Sequence, residues 1–116
     1  MAFQNITGIK LGQLVLTTAY AQLYVVPKNI RTYVKDIDIC NTTGSAITAY
    51  VSLVISGGTP SASNALFYNT NIPAYSTMQW TGSEILEAGD TIWVKASVDP
   101  VLGAGLTINA TGGEAT

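Results

Sequence analysis

The chain has 116 residues, enough for one domain with a core of its own and no more. Hydrophobic residues make up 47% and charged residues 10%, against about a quarter charged in an average soluble domain. A net charge of −2 with five basic residues excludes a disordered polyelectrolyte and leaves no concentrated Lys/Arg footprint for nucleic acid. Histidine is absent, which removes Ser-His-Asp and Cys-His catalysis and His-dependent zinc sites.

In chain order, residues 1–12 alternate only weakly and are read either as a frayed terminus or as an N-terminal arm, with Phe3, Ile6 and Ile9 as the side chains that dock on a neighbouring subunit. This start has neither a basic region nor a long apolar stretch, so no signal peptide is expected. Residues 13–111 are expected to form a single domain. Short strands are expected over Gln13–Thr18 and Gln22–Val26, closed by the turn residues Pro27-Lys28-Asn29. Ile30–Cys40 changes phase: Ile30, Thr32 and Val34 share one face, whereas Ile37 and Ile39 fall on the other. A bulge near Lys35-Asp36 would return both sets to the core. Ala46–Ser56 is the clearest strand, with Ile47, Ala49, Val51, Leu53 and Ile55 inward and Tyr50, Ser52 and Val54 outward.

Further strands are expected at Ala65–Tyr68, Tyr75–Thr81, Thr91–Val98 and Leu106–Ala110. In Thr91–Val98 the residues Ile92, Val94, Ala96 and Val98 point inward and Trp93 and Lys95 outward. Residues 112–116 are small and are read as a flexible C-terminal tail. Strand starts about ten residues apart, without sustained helical periodicity, indicate an all-β fold: an antiparallel β-sandwich of about eight strands, of jelly-roll type as one option.

Chemistry is scarce. Cys40 lacks a partner for a disulfide and sits in an apolar run, where a small buried hydrophobe is expected. Asp36 and Asp38 share a strand face, but two carboxylates supply too few oxygens for calcium. Glu84, Glu87 and Asp90 surround a turn at Gly89 and read as turn chemistry. No phosphate-cradling glycine motif and no apolar run of roughly 20 residues is present, so neither a cofactor, a metal nor a membrane is expected, and the chain is not read as an enzyme. Tyr50 and Trp93 lie on the outward phase of their strands, where they are either covered by neighbouring structure, anchor a protein contact or stack on sugars. A charge-poor surface of Thr, Ser, Asn and Ala suits faces buried in an assembly.

Leu23-Tyr24-Val25-Val26-Pro27, then Val34 to Thr42, then Val51-Ser52-Leu53-Val54, with the later Ile85-Leu86-Glu87-Ala88-Gly89-Asp90-Thr91-Ile92, resembles small virion structural proteins of tailed bacteriophages over roughly Leu23–Ile108. The resemblance carries no catalytic position. It implies a β-sandwich in the virion, made in the host cytoplasm, which acts as a capsid decoration (cement) protein that binds the shell lattice and stabilises the mature head. The implied partners are the major capsid protein or other virion proteins and copies of itself, a trimer being favoured. The alternative is a tail or fibre module that binds host-surface glycans or adapts tail proteins.

Overall fold

The computed structural model describes residues 5–116, so Phe3 lies outside the described residues. Eight strands follow one another: β1 (Ile6–Val15), β2 (Ala21–Val25), β3 (Arg31–Asn41), β4 (Ile47–Val54), β5 (Ala65–Ile72), β6 (Thr77–Leu86), β7 (Thr91–Ala96) and β8 (Leu106–Ala115), with one 3-10 turn at Ala62–Asn64. They form two four-stranded sheets in the orders β1-β8-β3-β6 and β2-β7-β4-β5, and all neighbours are antiparallel. Consecutive strands thus alternate between the sheets, except that β4 and β5 are neighbours in the second, and the first and last strands pair in the first sheet. This is the jelly-roll ordering of a two-sheet sandwich.

The inward phases fill one core. Val34, Ile37 and Ile39 of β3, Ile92 and Val94 of β7, and Leu106 and Ile108 of β8 are fully buried, with Leu16, Val51 and Ile72 beside them. The bulge expected in β3 is present. Pairing with both β6 and β8 shifts between Val34 and Asp36, so Lys35 and Asp36 stay outside while Val34 and Ile37 both reach the core. Two inward residues at strand ends do not arrive. Ile55 is 75% exposed because β4 ends at Val54 and the chain turns, Gly58 N–H donating to the Ile55 carbonyl at 2.9 Å; Val98 is exposed because β7 ends at Ala96. Cys40, expected inside, faces outward between Thr107 and Thr77 and is half-buried. The bulge sets this phase: with Ile37 and Ile39 inward, Cys40 must point away.

Both termini differ from expectation. The segment expected as an arm is β1 from Ile6 onward, and residues 112–115 of the expected tail are the end of β8. Each supplies the other's hydrogen-bond partners: Ile6 pairs with Ala115, Gly8 with Gly113 and Ile9 with Gly112, while Asn5 and Thr116 exchange backbone bonds beyond them. Small residues gave this pairing no side-chain alternation to announce it. Gly112 tolerates no Cβ, which would collide with the Tyr33 carbonyl of the adjoining β3. Polar groups buried between the sheets are bonded. Asn41 donates to the Ser45 and Ile72 carbonyls at 2.8 and 3.0 Å and accepts from Thr43 N–H at 2.9 Å. Tyr24 donates its hydroxyl to Glu114 Oε2 at 2.6 Å and accepts from the buried Thr32 hydroxyl at 2.7 Å.

Candidate functional site

Three surfaces are candidates for function, and strand phase builds each. The first is the outer face of the β2-β7-β4-β5 sheet. Tyr50 of β4 pairs with Lys95 of β7, and Tyr20 precedes the Ala21–Val94 pair, which brings it beside Lys95 from the other side. A bulge in the β4–β5 pairing carries Tyr68 and Asn69 alongside Tyr50. The result is a row across the sheet, from Tyr20 just before β2 through Lys95 and Tyr50 to Tyr68 with Asn69, about 14 Å long at the usual strand spacing. Lys95 Nζ lies 4.9 Å from the Tyr20 ring centroid and 4.6 Å from that of Tyr50. Tyr68 meets Tyr50 edge to face at 5.3 Å, and the Tyr50 hydroxyl donates to Asn69 Oδ1 at 3.1 Å. Trp93 stands in the neighbouring row with Gln22 and Ser52, its indole N–H donated to Thr91 Oγ1 at 2.9 Å. Further along, Ser52 and Val54 also point outward but are buried under residues 55–64, with the Ser52 hydroxyl reaching the Ser61 carbonyl and Val54 beside Gly58.

The second surface is the outer face of the β1-β8-β3-β6 sheet, which is polar. Gln13, Asn109, Asp38 and Gln79 form one row across all four strands, with Lys10, Thr111, Asp36 and Thr81 beside it. Gln79 donates to Asp36 Oδ2 at 3.0 Å, while Asp36 Oδ1 is buried without a bond. Burial, and next the Asp36 carboxyl, push the Asp38 carboxyl above its usual range. Among the described residues no group of three or more His, Cys, Asp or Glu is gathered to hold a metal ion. Toward the far end of this face, Gly8, Gly112 and Gly113 floor a cavity of about 390 Å³ walled by Ile6, Tyr33, Lys35 and Ser83.

The third is one end of the sandwich, where four connections are tied together. Thr18, between β1 and β2, donates both its N–H and its hydroxyl to Asp99 between β7 and β8, at 2.8 and 3.0 Å. Thr42, between β3 and β4, donates its N–H to the Gly105 carbonyl, and Tyr75, between β5 and β6, donates its N–H to Thr43 O. On this scaffold Tyr75, Val98, Val101 and Leu102 are exposed, Leu102 completely. At the opposite end the acidic turn behaves as turn chemistry requires: Asp90 accepts from Glu87 N–H and Ser56 N–H, and Arg31 Nε donates to Glu87 Oε1 at 2.7 Å.

Of the side chains singled out from the sequence, Tyr50 and Trp93 come together on one outer face. Ile6 is 67% exposed at the rim of the glycine-floored cavity. Ile9 packs against the core opposite Gly112 and is not part of a free arm. Tyr20, Tyr68 and the placement of Lys95 between rings were not legible: the outward phase of Lys95 is in the sequence, but its cross-strand neighbours depend on register.

Neither the family models nor the curated proteins give a match to this chain. Among solved structures it is similar to a chain in the structure of infectious bursal disease virus Gx strain, at 10% identity and TM-score 0.50, over 96% of this chain and 31% of that one. A chain in the structure of the Gt strain aligns at 12% identity over 98% and 29% of the two, with TM-score 0.38. The chain therefore spans under a third of the viral chains it aligns with, and the likeness to the Gx-strain chain is one of fold.

Proposed function

We propose that this protein is a non-enzymatic structural component of a virus particle, and more narrowly a bacteriophage decoration (cement) protein that sits on the shell lattice and stabilises the mature head. The observation that carries the reading is the apolar end of the sandwich. Tyr75 on the β5–β6 connection and Val98, Val101 and Leu102 on the β7–β8 connection are displayed at an end that hydrogen bonds hold in place, and such exposed apolar groups mark a contact surface rather than a solvent-facing one. The low charge of the chain and a sandwich fold that recurs in viral shells support it. Docked at a junction between shell subunits, the apolar end adds contact area that the bare lattice lacks. It thereby favours whichever shell geometry completes the site. A closed trimer, with the edge strands β1, β2, β5 and β6 covered by neighbours, would remove exposed strand edges.

The test is the heat stability of purified particles with and without the protein. Particles lacking it should release DNA at lower temperature, and adding back the wild-type chain should restore them. The Leu102→Asp variant, whose side chain contacts solvent in the isolated protein, should fold yet fail to restore them. Equal heat stability with and without the protein would refute the cement role.

A further inference from the structure

We infer that the outer face of the β2-β7-β4-β5 sheet is a binding site for a carboxylate-bearing glycan. The Tyr20 and Tyr50 rings meet the sugar, and the Lys95 ammonium pairs with the acid. Lys95 Nζ is lodged between two ring faces at 4.9 and 4.6 Å, and the ion pair among the described residues is Arg31–Glu87, at the other end of the molecule. Ring faces compensate the ammonium in part but accept none of its N–H bonds in the way a carboxylate does. The charge is thus fixed in position with donors to spare, and this pre-organisation favours an incoming anion. Around it lie groups suited to a polyhydroxylated ligand: the Tyr50–Tyr68 edge-to-face pair, and the exposed Asn69, which is held at φ 51° and whose oxygen takes the Tyr50 hydroxyl.

The position of the row favours a sugar over an acidic peptide. Peptides are captured along a sheet edge or in a groove, where backbone groups or pockets are free. This row runs across the sheet on its flat outer face, over strands β7 and β4 whose ladder bonds are already paired on both sides. What it offers is ring surface, hydroxyl and amide groups, and one cation. The site uses none of the exposed apolar residues at the end of the sandwich and does not depend on where in a particle the protein resides.

The test is binding of the purified chain to an array of neutral, uronate-bearing and sialic acid-bearing glycans, with immobilised polyglutamate as the acidic-protein arm. Retention is expected on the carboxylated glycans alone and should weaken as salt is raised. Lys95→Gln should weaken it by about tenfold or more, and Tyr50→Ala should abolish it; Lys95→Arg should retain it. Thermal melting of each variant verifies folding, and Tyr50→Ala carries the test if Lys95→Gln unfolds, unchanged retention by the folded variant then overturning the assignment. Absence of retention on every carboxylated glycan, retention unchanged by Lys95→Gln in the folded variant, or equal capture by polyglutamate would overturn the assignment.

Discussion

Two side-chain pairs in this molecule make stability fall as pH rises, and each follows from where its strand places it. Tyr24 reaches from β2 to Thr32 and Glu114 on the facing sheet, and burial together with the Glu114 carboxylate pushes its hydroxyl up to about 12. A value raised above the ordinary 10 means the protonated form is favoured in the fold. Its contribution is therefore complete below pH 10 and lost as pH rises from 10 to 12. Tyr24→Phe should lower stability at pH 7 by about 1–2 kcal/mol, through two lost hydrogen bonds, and remove that part of the alkaline decline. Urea unfolding at pH 7, 9 and 11 measures both effects. Asp38 is also raised, by burial first and by Asp36 second, so its contribution is present at low pH and lost as pH rises through its folded value. Asp38→Asn should melt higher than the wild type at pH 7 and equally near pH 3. A lower melting point at pH 7 would mean that the Asp38 carboxylate makes a favourable bond instead.

At the scale of elements, β8 decides whether the first sheet exists, since it pairs with both β1 and β3 along its length. Gly112 lies where β8 passes Tyr33 with no room for a side chain. Gly112→Ala should destabilise the protein by about 3 kcal/mol or more, by forcing backbone apart in a central strand. Deleting residues 112–116 should have a comparable effect, whereas a frayed tail would be lost without change; a thermal melt of the truncated chain distinguishes these. The same strand shows what the sequence leaves illegible. Side-chain alternation announces a strand only where large residues take turns with polar ones, as in Ala46–Ser56, and the bulge of β3 was readable because Val34 and Ile37 break phase. In 112–116 the backbone carries the pairing and the side chains carry no signal. The aromatic row was half legible for a related reason: phase put Tyr50, Trp93 and Lys95 outside, but only the register between β2, β7, β4 and β5 joins Tyr20 and Tyr68 to them.

For the whole molecule, length separates the two ends of the sandwich. The sandwich extends 48 Å along its long axis and 25 by 22 Å across it. The apolar connections lie at one end, the Arg31–Glu87 turn at the other, and the tyrosine row on a flank. The central claim is that the chain belongs to a particle as a repeating part of its shell. Quantitative mass spectrometry of purified particles, scaled to the major shell protein, tests it most directly. The account predicts a copy number equal to that of the shell protein or a simple fraction of it. A handful of copies per particle would contradict lattice decoration, and complete absence from particles would contradict the structural role itself.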